Sequence, residues 1–519
     1  MIFHVMFLTG QNKPNILWLV CEDQSLFFEA YGDSNAYTPN INQLANLGTV
    51  YENCFTVSPV CSPSRSSIIT GMYPTSIGTQ NMRAYKKDSK GNKNHLELPY
   101  YSPLPNREIK FFTEQLRLNG YYCTNNSKED YNMMSSPLAW DESSKNAHWR
   151  NRDINQPFFS IFNFNITHES KIWKNNNNKN SINESVILPE IFPDNEDIKH
   201  DFQVNYSNIE KLDEKIGEII YQLKEDNLFD STIIFFFSDH GGPFPRYKRS
   251  IYDTGIQCPL IIKWINQDTA NRNDQLISFV DFAPTLLDIS NTESSHSMEG
   301  VSFYNKDLRK YIFAATDRFD ESRDQRRCIR TKNYKLIFNM DTLSSISKEI
   351  NYRKQMKTMQ VLDSLNDNNL IEGYFKKWYL NKKDKYEFYD ISKDPFEIEN
   401  LYYDSSHINE IDKLKTQLNI WINSSEFCKM SETEMLNQMF KNDFSLRKLN
   451  PPEIIKSEKG LFIHPIENGV SVGYRQKGDK KWNIYNENMS LNFPAEIEIL
   501  MFKPGYETYT NLIKYNIKE

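Results

Sequence analysis

Three apolar runs in this 519-residue chain end in ionisable residues. "NILWLVCED" (15–23) closes on Glu22 and Asp23, "PFFSIFNFNITHES" (157–170) runs into His168, and "TIIFFFSDHGG" (232–242) runs into Asp239 and His240. Such runs read as strands buried on both faces of a mostly parallel sheet, where ligands bind beyond the carboxyl ends of the strands. Residues far apart in sequence are thereby expected at one edge. Glu22, Asp23 and Asp239 offer hard oxygen ligands, which suit Ca²⁺ or Mg²⁺ better than zinc. A strand-end acid serves equally well as a cap for the next helix or as a solvated charge. Two such pairs on separate strands, Glu22-Asp23 and Asp239-His240, favour a shared site.

A second pattern is "PVCSPSRSSIITGMYP" (59–74), where Cys61 stands just ahead of a helix start and Arg65 follows four residues later. That electropositive setting favours a thiolate or an anionic ligand. An inert buried thiol fits the same residues. The seven cysteines are spread singly, with no CxxC pair and no zinc-type spacing, and an odd number leaves at least one unpaired. Cys21 and Cys258 lie in apolar runs and read as small buried hydrophobes.

The elements that must position these residues follow an α/β grammar. "TPNINQLANLGTVYENCF" (38–55) predicts a helix leading into a strand, and "FFTEQLRLNGYYCTNNSKEDY" (111–131) a helix stopped at Gly120, then a strand and a polar loop. Residues 205–231 carry apolar side chains at helical spacing, whereas 171–200, rich in Asn and Lys and then in Pro, read as a long surface excursion. "CPLIIKW" (258–264) and "YIFAATDR" (311–318) continue the alternation. The expectation is an α/β domain over 13–325 with a mostly parallel central sheet flanked by helices. A smaller α+β lobe over 326–430 and a small β-sandwich over 450–519 complete it.

A net charge of −7 with 25% charged residues and a mean hydropathy of −0.65 describe a globular chain with no basic footprint for nucleic acid. At usual domain sizes the length suggests about two to four units. No apolar run approaches the roughly 18–20 residues needed to cross a bilayer. The start, "MIFHVMFLTGQNKPN", is apolar without a basic n-region and reads either as an atypical signal peptide or as a lead-in to the first strand, with a slight lean toward export. Asn125 and Asn165 lie in N-x-Ser/Thr sequons.

Cys61-Ser62-Pro63-Ser64-Arg65, with Thr70-Gly71-Met72-Tyr73-Pro74 behind it, resembles the C-x-P-S-R signature of the type I sulfatases. The resemblance extends over roughly residues 13–425, through "PNILWLVCEDQ", "TNNSKEDYN", "SDHGG" and "PRYKRSIYDTGIQCPLII", and looks nearest to the heparan N-sulfatase-like bacterial branch. The stretch from about 465 to 506 is similar to a chitobiase-type C-terminal β-sandwich. The family resemblance implies that Cys61 is oxidised to formylglycine by a maturation enzyme and that one hydroxyl of its hydrate attacks sulfur. It further implies that Arg65 steadies that diol and that Glu22, Asp23, Asp239, His240 and residue 61 ligate a calcium ion. Lys128 and Lys248 match sulfate-binding lysines, and His168 a histidine near the leaving oxygen. The implied substrate is a sulfated carbohydrate, O- or N-sulfated, and the implied location is periplasmic or secreted. A metal with fixed cations around three sulfate oxygens is the field that attack at sulfur requires.

Three departures from the family pattern stand out. Glu22 replaces the usual Asp, His240 replaces Asn, and Asp130 replaces the histidine of a Lys-x-His element, which leaves the acid for the leaving group unassigned. Taken alone, Lys248 also reads as a solvated charge, His168 as a loop histidine, and Arg83 either as a contact to a substrate anion or as a surface ion pair. "TDRFDESRDQRR" (316–327) reads as a pocket rim. Two rival functions stay open: a phosphate or phosphonate monoesterase of the same superfamily, and an inactive protein that binds sulfated glycans.

Overall fold

The computed structural model describes residues 13–86, 97–174, 186–304, 306, 309–441, 443–457, 460–486, 489–491 and 495–515. The N-terminal signal reading and parts of the excursion at 171–200 lie outside these residues. Among the described residues no helix is long and apolar enough to cross a membrane.

Eight strands form the main sheet: β1 (Asn15–Cys21), β2 (Thr49–Phe55), β3 (Tyr122–Asn126), β4 (Glu142–Ser143), β5 (Phe158–Phe164), β6 (Thr232–Ser238), β7 (Gln257–Lys263) and β8 (Asn271–Ser278). Their order is β4-β3-β5-β1-β6-β7-β2-β8, and only β7 runs antiparallel to its neighbours. The unbroken apolar runs follow from burial on both faces. Along β1, Leu17 and Leu19 enter one core while Ile16, Trp18 and Val20 enter the other, the period-two alternation of a strand. Trp18 meets Phe159 and Phe237 edge to face at 5.0 and 5.2 Å. Helices Pro39–Asn46 and Glu196–Glu225 cover the first face, and helices Phe112–Leu118 and Phe282–Ile289 cover the second.

Two expectations need correction. The strand in "YIFAATDR" does not extend the main sheet: β9 (Ile312–Phe319) pairs with β10 (Ser322–Arg330), which continues through β11 (Tyr334–Asn339) to β12 (Tyr386–Asp390) in an antiparallel sheet. A two-residue connection from β9 to β10, Asp320-Glu321, makes hairpin pairing the short solution. The long helix begins at Glu196, well before 205, because the Asn195 side chain accepts from the backbone N–H groups of Asp197 and Ile198. Ahead of it Val186, Ile191 and Phe192 are buried in the core, so the described part of the excursion is packed.

At the C-terminal end, strands Ser471–Gln476, Asn483–Ile484, Ala495–Phe502 and Tyr509–Tyr515 form an antiparallel sheet. It shares an apolar core with the hairpin Glu453–Ser457/Gly460–His464. This unit leans on the main body: Arg117 donates to the Trp482 carbonyl at 2.7 Å, Ser471 donates to buried Glu114, and Leu138 packs on Leu500 and Phe502.

Behind the sheet's carboxyl edge two glycines bring backbone against backbone. Gly241 N–H donates to the Gly255 carbonyl at 3.0 Å, and a Cβ at Gly255 would strike the carbonyl oxygens of Ser250 and Tyr247. Gly255→Ala is therefore expected to destabilise the fold by about 1–3 kcal/mol and to displace the loop that carries Lys248. Thermal unfolding checks this, and an unchanged midpoint would contradict it.

Candidate active site

Neighbouring parallel strands β3, β5, β1 and β6 end on the same edge, and the loops after them deliver Lys128, His168, Glu22 with Asp23, and Asp239 with His240. β2 points the same way and leads to Cys61, the first residue of the helix Cys61–Thr70. Every residue of that helix is buried, which explains why "CSPSRSSIIT" shows no amphipathic stripe. Three of its hydroxyls are satisfied by backbone or side-chain partners, Ser64 by the Asp239 carbonyl at 2.5 Å, Ser66 by Thr79 at 2.7 Å and Thr70 by the Ser66 carbonyl at 2.6 Å. Arg65, one turn beyond Cys61, shares its helix face.

The predicted residues come together. Cys61 Sγ is 3.3 Å from His240 Nε2, which is 3.0 Å from Asp23 Oδ1. Arg65 Nε donates to Asp239 at 3.1 Å and its Nη1 to Asn163 at 2.7 Å. Lys128 donates to Glu22 at 2.9 Å and lies 3.6 Å from Asp130. Lys248 is 1% exposed, donates to Asp23 at 2.6 Å and pairs with Glu169 at 3.0 Å, so it is no solvated surface charge. Arg83 stands apart at the rim, half exposed and paired with Asp320 at 3.0 Å.

Ligand atoms of Glu22, Asp23, Cys61 and His168 lie within 4.8 Å of one another, as do those of Cys61, Asp239 and His240. The donor set fits a hard divalent cation. Asp23 Oδ1 is buried and accepts no well-aligned hydrogen bond. His240 Nδ1 donates to the Gly241 carbonyl at 2.9 Å and so turns Nε2 toward Asp23 and Cys61, where the ring would offer a lone pair to a cation on giving up its Nε2 proton. His240 thus faces the same centre as the acids despite replacing Asn. An anion has its counterpart in Arg65 Nη2, which is buried without a partner.

The charges are set by burial working against neighbours. Burial alone would raise the Asp23 carboxyl, but Lys248, His168 and His240 hold it well below the usual carboxylate range. Burial would discharge Lys248, yet Asp23, Cys61 and Glu169 keep it cationic. For His240, Asp239, Cys61 and Asp23 outweigh burial and push the imidazole up to about 10. His168 moves the other way, lowered by burial and by Lys248. Its Nδ1 accepts from the Ser170 backbone N–H at 3.2 Å, so neutral His168 carries its proton on Nε2.

Four partners were not anticipated from the sequence. Asn163 orients Arg65, and Glu169 takes two bonds from Arg249 at 2.8 Å each while its backbone N–H donates to Asp23 at 2.7 Å. Asp320 binds Arg249 at 2.8 Å. Glu169 and Arg249 each directly follow a predicted site residue, the one signal that could have flagged them. In "TDRFDESRDQRR" only Asp320 reaches this network through a direct ion pair. Arg318, Arg326 and Arg327 are buried in ion pairs with Glu432, Glu387 and Asp317.

Residues 14–292 match the sequence model of the family described as Sulfatase, and residues 243–369 match that of the N-sulphoglucosamine sulphohydrolase C-terminal region. An ulvan-active sulfatase of Formosa agariphila is 36% identical over 95% of this chain and 90% of its own length. Human N-sulphoglucosamine sulphohydrolase is 21% identical over 80% of this chain and 91% of its own. Among solved structures, one determined with its substrate D-glucosamine-2-N,6-O-disulfate superposes with a TM-score of 0.57 at 17% identity. It covers 81% of this chain and 100% of the other.

Glu169 supplies a test of the charge network. Burial would raise its carboxyl, but Arg249 and Lys248 pull it down to about 2. A depressed pKa stabilises the fold above the unfolded value and loses that contribution as pH falls through the folded one. Glu169→Gln is thus expected to cost about 3–5 kcal/mol near neutral pH, because Arg249 and Lys248 lose a buried counter-charge. The difference from wild type should shrink below about pH 4. Unfolding free energies at pH 7 and pH 3 check this, and an equal cost at both would contradict it.

Proposed function

The chain belongs to the sulfatase family, and we propose that it hydrolyses a sulfate ester or sulfamate on a carbohydrate, using a formylglycine made from Cys61 and a calcium ion. The observation that carries this reading is the placement of Cys61 beside His240, with the unpartnered Nη2 of Arg65 one helical turn away. The Cys61 sulfur marks the position of the formylglycine oxygens, whose hydrate supplies the nucleophilic hydroxyl. Glu22, Asp23, Asp239, His240 and residue 61 would hold the calcium, which when bound supplies a Lewis acid for a sulfate oxygen.

The remaining work belongs to side chains of the chain itself. Arg65, anchored by Asp239 and Asn163, keeps one N–H group free for the attacking group or a sulfate oxygen. Lys128, 26% exposed, supplies a cation on the open side, and Lys248 supplies one from below. In its imidazolium form, with Nδ1–H donated to the Ser170 hydroxyl 3.0 Å away, His168 presents Nε2–H to the leaving oxygen or nitrogen and returns to the neutral ring on giving up a proton, and Arg83 contacts a substrate anion at the rim. Asp130 is held by Lys128, which leaves His168 as the proton donor this reading assigns. The relatives named for ulvan and N-sulphoglucosamine support a sulfated glycan as substrate. A formylglycine-generating enzyme is the implied maturation partner, and the reading places the protein in the periplasm or outside the cell.

The deciding experiment pairs mass spectrometry of the Cys61 peptide with sulfate release from a panel of sulfated oligosaccharides. An aldehyde at residue 61 with sulfate release is expected. An unmodified thiol after co-expression with the maturation enzyme, together with no release, would sink the proposal. Faster phosphate than sulfate release from matched esters would favour the monoesterase. Cys61→Ala should abolish turnover with a nearly unchanged melting temperature, and chelation should remove activity that added calcium restores. His168→Ala should lower kcat about 10²–10⁴-fold on sugar sulfates. The loss should be smaller on an aryl sulfate, whose phenolate leaves without a proton, and equal losses would remove His168 from that role.

A further inference from the structure

Beside His168 stands a half-buried ring that no step above employs. Tyr352 has its ring centre 6.5 Å from that of His168, with Trp173 edge-on at 5.2 Å. Its position is fixed from both sides in sequence. The Asn351 N–H donates to Glu321 at 2.6 Å, and Arg353 is buried over Trp378 while donating to the Lys348 carbonyl at 2.9 Å. The Arg83 guanidinium lies 5.7 Å from the centre of the Tyr352 ring.

Arg83 is held without being used up. Its backbone is in the left-handed region at φ 57°, and the preceding Met82 N–H is bonded to the Arg318 carbonyl at 2.8 Å. The Asp320 oxygen 3.0 Å away accepts no aligned hydrogen bond, and its other oxygen already serves Arg249. With 52% of its side chain exposed, Arg83 donates no hydrogen bond among the described residues. Inward from it, Asp320, Arg249, Glu169, Lys248 and Asp23 alternate in sign, so the open end of this charge chain is a cation at the mouth.

We infer that Tyr352 and Arg83 form a sugar subsite on the leaving-group side of the reacting sulfate, one that takes a saccharide bearing a second anionic substituent. The apolar face of a pyranose packs against Tyr352. The half-exposed guanidinium of Arg83, ion-paired to Asp320 through Nη1 only, binds a carboxylate or a second sulfate on the same or the adjoining residue through its remaining N–H groups. This inference rests on the sulfatase reading and adds the class of glycan it accepts.

The test compares three substrates: a sulfated oligosaccharide with uronate neighbours, its carboxyl-reduced counterpart, and a neutral disaccharide bearing two sulfates. Wild-type kcat/KM should be tenfold or more higher for a substrate with the second anion than for the carboxyl-reduced one. Arg83→Gln should erase that preference through KM, and the substrate on which it does so identifies the anion as uronate or sulfate. Tyr352→Leu should raise KM on all three. Persistence of the preference in Arg83→Gln, or an equal fall in kcat on every substrate, overturns the subsite. Calorimetry in a Cys61→Ala background reads the same site without turnover, where adding Arg83→Gln should weaken binding of the preferred oligosaccharide about tenfold. Absence of sulfate release by wild type would therefore defeat the sulfatase reading while the binding pair still decides the subsite.

Discussion

The buried carboxylate of Asp23 is the interaction on which the site depends. A lone carboxylate away from water costs several kcal/mol, so its surroundings must return that energy. Here they do so from two separate loops, through Lys248 and His240 of one and the backbone N–H of Glu169 of the other. Those loops follow β5 and β6, and Asp23 itself follows β1, with its backbone in the left-handed region at φ 56°. The charge and the fold thus constrain each other: the strands place the groups, and the carboxylate holds the loops where the strands release them.

The antiparallel sheet braces the same region from outside. Asp253, in the short helix after Lys248, binds Arg330 of β10 at 2.9 Å and Lys335 of β11 at 2.8 Å. Lys335 also pairs with Glu397 at 2.8 Å, and Glu397 accepts from the Asp253 backbone at 2.6 Å. Arg246 passes its guanidinium to the carbonyls of Phe396 and Glu397. The loop carrying Lys248 is therefore clamped between the carboxyl edge of one sheet and the polar flank of another. This gives a physical reason for the buried charges Arg330 and Lys335 on β10 and β11.

Much of this arrangement was legible because strands buried on both faces leave a plain mark, and "NILWLVC" or "TIIFFFS" admits few other readings. The acids and histidine that follow such runs could be placed at one edge before any coordinates. Glu169, Arg249 and Asp320 could not, because an ion pair between residues 80 or 71 positions apart has no local periodicity. The start of the long helix was legible in principle, since "NEDI" offers an N-cap and first-turn acids at Asn195, Glu196 and Asp197. The polar, proline-interrupted stretch before it hid that signal. "YIFAATDR" was misplaced because a short apolar strand reads alike in either kind of sheet, and only its two-residue connection to β10 favours a hairpin.

The wall that holds Lys128 and Asp130 is backed by chain made much later. Met134 and Leu138 lie against Leu500 and Phe502, while Glu114 and Arg117 of the helix beside them reach Ser471 and Trp482. During synthesis the helix that starts at Cys61 emerges about 400 residues before Ser471, the first of these partners, and β6 more than 200 before it. A nascent chain can assemble β1, β5 and β6 while that wall is still unsupported. Completion of the pocket is then a late event, timed by the ribosome reaching the final strands, and premature termination there would leave an intact sheet with an open flank.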